Sequence, residues 1–149
     1  KDKCVLLVDD SIVRGNTSRK IVEMARKAGA KKVYFASASP PIIGPDPYGI
    51  DLPTTTELIA ANHSIEEIRQ AITADALFYL SIADLHRAIR IGNPKIKRFS
   101  DGCFTGKYPT AEVTKELLER LGSGRNATRE SFTTDQPPSG DQYKMMSLV

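Results

Sequence analysis

The stretch CVLLVDDSIVRGNTSRKIVEMARKAG, Cys4 to Gly29, decides the fold. It opens with an unbroken apolar run, Cys4–Val8, the pattern of a strand buried on both faces of a parallel sheet. Two adjacent acids, Asp9 and Asp10, end the run, and a small polar loop follows. From Thr17 to Ala28 the spacing turns helical, with Ile21, Ala25 and Ala28 on one face, Val22 beside them and Gly29 as the stop. KKVYFASAS, Lys31 to Ser39, reads as the next strand. Strand, helix and strand in about 35 residues make a βαβ unit with parallel strands. The expected class is therefore α/β, a parallel sheet flanked by helices.

The chain has 149 residues, room for one domain with a real core. Hydrophobic residues at 40% and charged residues at 26% are ordinary for a soluble globular protein. Net charge is only +3, with the signs interspersed. That balance argues against a nucleic-acid surface and leaves room for a local phosphate site. Cys4 and Cys103 are the two cysteines; neither belongs to a zinc-type cluster or a disulfide framework. A reduced, cytoplasmic setting is expected. No apolar run approaches the ~20 residues of a membrane span, and the first residues do not read as a signal peptide.

Pro40–Pro53 holds five of the nine prolines and reads as a long ordered loop. Helices are expected after it, opened by Thr54/Glu57, Ser64/Glu67 and Ser81/Asp84, each a hydroxyl with an acid three residues on. Ala76–Ser81 is a short strand candidate, and Ile82, Leu85 and Ile89 give the helix after it a buried stripe. Gly102–Thr110 reads as a short strand and turn. Val113, Leu117 and Leu121 mark one more amphipathic helix. Beyond it the composition becomes polar, and residues 122–149 are expected to form a flexible tail.

In an open α/β sheet, ligands bind beyond the carboxyl ends of the strands, where Asp9 to Ser18 lies. Gly15 lets backbone approach a ligand. Asn16, Thr17 and Ser18 add donors to the free N–H groups of a helix's first turn, so an anion is favoured there. A carboxylate pair accepts hydrogen bonds from vicinal hydroxyls or binds a hard cation such as Mg²⁺. Hydroxyls on one side and phosphate on the other describe a ribose 5-phosphate. A blander reading makes Asp9 a turn former and Asp10 or Ser11 a cap. Neither a Walker P-loop nor a dinucleotide fingerprint is present.

VLLVDDSIVRGNTS resembles the phosphoribosylpyrophosphate (PRPP) motif of type I phosphoribosyltransferases. Arg14, where most relatives carry Thr, makes it similar to the glutamine PRPP amidotransferase branch. GAKKVYFASASPPI, YGIDLPTTTELIA and CFTGKYPT extend that likeness from about Lys3 to Leu121. The resemblance implies a type I phosphoribosyltransferase-like partial domain, residues 1–121 being its carboxyl-terminal part. It implies that ammonia, released from glutamine in another domain, displaces pyrophosphate from PRPP. Asp9 and Asp10 would hold the ribose hydroxyls and Mg²⁺. Ser11, Val13, Arg14, Gly15, Asn16, Thr17 and Ser18 would complete the PRPP site, the last four donating to the 5-phosphate. Tyr48, Asp51 and Pro53 would lie near a second, allosteric site for purine nucleotide inhibitors, although a loop fastened to the sheet explains them equally well.

The likeness has departures. The glutaminase domain and the pyrophosphate loop are not found in these 149 residues, so no catalytic residue is assigned and glutamine hydrolysis is not expected of the chain alone. Cys4 is expected to be a buried small hydrophobe. One branch carries an iron–sulfur cluster, but Asp46 and Ser100 stand where its cysteines would be and only Cys103 is left; no cluster is expected. Asn16 replaces the usual Thr. His63 and His86 show no catalytic partner and are read as structural. The family implies homo-oligomers and no nucleic-acid or membrane partner. A non-catalytic PRPP- or nucleotide-sensing module and a simple base phosphoribosyltransferase are the competing readings.

Overall fold

The computed structural model describes residues 1–121; the expected tail, residues 122–149, lies outside the described residues. Three parallel strands, β1 (Cys4–Asp9), β2 (Lys32–Ser37) and β3 (Ala76–Tyr79), pair in the order β1-β2-β3. Register runs through Asp9, Ser37 and Tyr79 at the carboxyl edge. Helix α1 (Asn16–Lys27) links β1 to β2. Between β2 and β3 lie the proline-rich loop, a 3₁₀ turn at Thr55–Glu57, and helices α2 (Ile59–Asn62) and α3 (Ile65–Ala71). Helix α4 (Ile82–Gly92) follows β3, α5 (Gly102–Thr105) is a single turn, and residues 115–121 are helical.

Side-chain alternation along the strands sets the layers. Val33 and Phe35 of β2 are fully buried, and Leu7, Leu77 and Tyr79 join them on the same face. Val22 of α1 and Ile68 and Ile72 around α3 close over that face, with Ile12 and Ala74 completing the cluster. Burying side chains of this size contributes roughly 1.5–3 kcal/mol each. A second cluster, Ile42, Leu52, Leu58 and Cys103, sits under the proline-rich loop.

The other sheet face overturns one expectation. Cys4–Val8 is not buried on both sides: Leu6 is 57% and Val8 68% exposed, and Cys4 is exposed too. Among the described residues the covering helices lie on one face only, so Leu6, Val8 and Phe78 form an open apolar surface. The face of α1 also differs from the expected one. Ser18 and Val22 are its buried residues, with Ala25 packed beside them, whereas Ala28 is exposed. The helix meets the sheet through Ser18, Val22 and Ala25, spaced four and three residues apart.

Caps fared better than stripes. Ser64 accepts the Glu67 N–H at 3.3 Å while the Glu67 carboxylate takes the Ser64 N–H at 2.7 Å, and Ser81 accepts the Asp84 N–H at 3.0 Å. The Thr54/Glu57 box opens a 3₁₀ turn and then the four-residue α2, not a long helix. Helix α4 buries none of its residues, and Ile89 is 38% exposed, so its stripe is only half covered. The strand expected within Gly102–Thr110 is instead the turn α5. Phe104 and Thr105 donate back to the Asp101 carbonyl at 2.9 and 3.0 Å. The Cys103 carbonyl takes the Ile43 and Gly44 N–H groups, which docks this segment on the proline-rich loop and not on the sheet.

Candidate functional site

Asp9 closes β1, and its carbonyl accepts the Ala38 N–H at 2.8 Å, tying the strand end to the end of β2. The next four residues turn away from the sheet under two anchors. Ile12, 1% exposed, plugs into the main core, and Val13 packs on the second cluster. Consecutive apolar side chains thus pull the loop into two different cores, which fixes it from beneath.

Gly15 then adopts φ +78°, in the left-handed region that L residues disfavour. It is buried, and a Cβ there would stand 2.8 Å from Ile59 Cδ1. The Gly15 carbonyl accepts the first helical bond, from Arg19 at 2.9 Å. No side chain caps α1, and no acid occupies its first turn. The positive end of a twelve-residue helix is therefore left to whatever lies above Asn16, Thr17 and Ser18.

Above this loop lies a cleft of about 490 Å³, within the ~300–1,000 Å³ typical of small-molecule sites. Asp9, Asp10, Ser11, Val13, Arg14, Gly15, Asn16, Thr17 and Ser18 line it, the nine residues that the sequence singled out. Asp9 is half-buried and Asp10 exposed. Asp9 Oδ1 accepts the Asp10 N–H at 3.0 Å, and Ser11 Oγ donates to Asp10 Oδ1 at 3.2 Å. A carboxylate's two oxygens offer about four acceptor sites, more than these bonds use. Among the described residues no three His, Cys, Asp or Glu side chains converge into a metal cage. Two carboxylates suit a Mg²⁺ that brings water and ligand oxygens of its own, as this cation commonly does.

Arg14 is engaged from behind the cleft. Its Nε and Nη2 donate to Glu57 Oε1 at 3.0 and 2.8 Å. That guanidinium, and then the Thr54 N–H, holds the Glu57 carboxyl below its usual range. The partners are 43 residues apart, so no local pattern announces this contact.

Tyr48, Asp51 and Pro53 do not line the cleft. Asp46 Oδ1 organises their loop by accepting the Tyr48 and Ile50 N–H groups at 2.8 and 3.2 Å. The Tyr48 hydroxyl meets Thr110 Oγ1 at 2.9 Å, Asp51 is exposed and Pro53 is buried. Asp46 is itself buried, close enough to Cys103 that it adds to the effect of burial in raising that thiol. His86 does have a partner: its Nε2 lies 2.8 Å from Asp101 Oδ2, and the ring stacks on Phe99 at 4.0 Å. His63 Nδ1 lies 3.1 Å from the Ile59 carbonyl.

No protein-family model matches the chain. Among curated proteins it is 54% identical over 126 residues to an amidophosphoribosyltransferase of Escherichia coli (strain K12), covering 85% of this chain. Over the same length it is 51% identical to the amidophosphoribosyltransferase of Haemophilus influenzae. Among solved structures it matches a glutamine PRPP amidotransferase from B. subtilis complexed with ADP and GMP, with TM-score 0.70 and 48% identity, covering 81% of this chain and 27% of that one. The parallel sheet with its strand–loop–helix cleft is thus the fold of type I phosphoribosyltransferases. Within that class the chain is homologous to a segment of the amidophosphoribosyltransferases. It spans about a quarter of the length of the curated relatives it matches: 25% in both bacterial cases.

Proposed function

We propose that this chain is the PRPP-binding part of an amidophosphoribosyltransferase, the carboxyl-terminal portion of its phosphoribosyltransferase domain being residues 1–121. The whole enzyme would convert PRPP, glutamine and water to 5-phosphoribosylamine, glutamate and pyrophosphate, the first step of de novo purine synthesis. The observation that carries the reading is the cleft at Asp9–Ser18, with two carboxylates at one end and an uncapped helix start at the other. The 5-phosphate would take the N–H groups and hydroxyls from Gly15 to Ser18, each charge-assisted bond contributing about 1.5–3 kcal/mol before desolvation. Asp9 and Asp10 would accept the ribose hydroxyls. That placement orients C1 for attack and puts negative charge beneath the positive charge that grows on the ring.

Mg²⁺ would accompany PRPP at Asp9 and Asp10, supplying charge neutralisation for the departing pyrophosphate. Ammonia would come from a glutaminase domain beyond these residues, and the working enzyme would be a homo-oligomer inhibited by purine nucleotides. A relative holding ADP and GMP supports the last point. Tyr48, Asp51 and Pro53 would border the inhibitor site. The described residues contain no helix long and apolar enough to cross a membrane, in keeping with a cytoplasmic biosynthetic enzyme. Calorimetry with Mg²⁺-PRPP tests the reading. Asp10→Asn should weaken binding far more than folding, and an unchanged affinity would remove the assignment.

A further inference from the structure

The loop beneath the cleft is held from one direction at three points, all within the 3₁₀ turn and the start of α2. The Val13 carbonyl accepts the Ile59 N–H at 2.9 Å. Gly15 lies against Ile59 Cδ1. Between them, Arg14 is gripped by Glu57 through two nitrogens on one oxygen. The other oxygen of Glu57 is held in turn, accepting the Thr54 N–H at 3.3 Å and the Thr54 hydroxyl at 3.2 Å. Glu57 does not line the cleft, yet it fixes Arg14, the cationic side chain that does so among the described residues.

We propose that Glu57 is a positioning residue of the anion site: held by Thr54 and holding Arg14, it sets the course of Val13–Gly15 and so the aim of the donors from Gly15 to Ser18. The claim rests on the reading that this cleft takes a phosphorylated ribose. Arg14 here serves as a brace, its Nε and Nη2 turned to a carboxylate; the alternative is a phosphate ligand that Glu57 holds back. The two roles make opposite demands on Glu57. If Arg14 were a ligand held in reserve, freeing it would strengthen anion binding. As a brace, freeing it loosens the loop and weakens binding.

The test uses the 149-residue chain with two probes, Mg²⁺-PRPP and ribose 5-phosphate. Glu57→Gln should weaken both by about fivefold, the size that an ion pair roughly one-third exposed can carry. Arg14→Gln should weaken both to a similar degree, and the double variant Arg14→Gln with Glu57→Gln should weaken them no further than either change alone, since both remove the same contact. Urea midpoints of all variants read folding separately. Unchanged or tighter binding by Glu57→Gln would overturn the proposal. So would losses that add up in the double variant, or a loss that merely tracks a lowered midpoint. Failure of the underlying reading looks different: the unaltered chain would bind neither probe.

Discussion

Replacing Gly15 by alanine perturbs the site and the fold through one methyl group. At φ +78° an L residue costs roughly 1–2 kcal/mol. The new Cβ would stand 2.8 Å from Ile59 Cδ1, so that side chain must leave its rotamer, at about 0.5–1.5 kcal/mol. Ile72 Cγ2, at 3.5 Å, is an ordinary contact and adds nothing. Alanine also restricts the unfolded chain, which returns roughly 0.4–1 kcal/mol. The expected net loss is about 1–2 kcal/mol, read as a lower urea midpoint with unchanged slope. The components can be separated, because Ile59→Val removes the offending Cδ1. Ile59→Val alone should cost about 0.5–1.5 kcal/mol, but in the Gly15→Ala background it should cost clearly less. A coupling near zero in that cycle would refute the contact, and a neutral Gly15→Ala would refute the backbone argument as well. Gly92→Ala, with nothing within 4 Å of its Cβ position, is the control and should not destabilise.

Three further outcomes follow from the same structure. Thr73 sits at φ +60° with a buried hydroxyl lacking a partner, so Thr73→Gly should stabilise by about 1 kcal/mol and raise the melting temperature by roughly 4 °C. Asp75 accepts the Val33 N–H at 2.8 Å and pairs with Arg26, which holds its carboxyl below the ordinary 3.8. Its stabilisation is therefore present above 3.8 and lost as pH falls through the lowered value; Asp75→Asn should remove that part of the acid limb in urea titrations between about pH 5 and pH 2. Leu6→Thr with Val8→Thr, on the open sheet face, should leave the midpoint nearly unchanged and reduce self-association in light scattering.

The parallel strand–helix–strand unit and the loop that lines the cleft were legible because both depend on local signals. An apolar run, two acids, a glycine and a helical period lie within 26 consecutive residues, from Cys4 to Gly29; that pattern points to Asp9, Asp10 and Gly15 to Ser18, whereas Ser11, Val13 and Arg14 join the set only through the family resemblance. Capping at Ser64 and Ser81 was legible for the same reason. Burial was not. An apolar run such as Cys4–Val8 records what a strand can tolerate on both faces, whereas the exposure of Leu6 and Val8 depends on what covers them. The stripe of α1 was misplaced by a turn fraction because Ser18, a small polar residue at the site, is also its first buried residue. Arg14–Glu57 and His86–Asp101 join residues 43 and 15 positions apart, and no local pattern announces such pairs. Arg14 is unusual at its position in the motif, but its tie to Glu57 is visible only in three dimensions.

The central claim is that Asp9–Ser18 is a phosphoribosyl site, and amide NMR of the chain titrated with Mg²⁺-PRPP tests it most directly. The account expects shifts concentrated at Asp9–Ser18, spreading to Glu57 and Ile59 through the brace, and abolished in Asp10→Asn at the same ligand concentration. Shifts centred elsewhere, or an unchanged titration in Asp10→Asn, would contradict it.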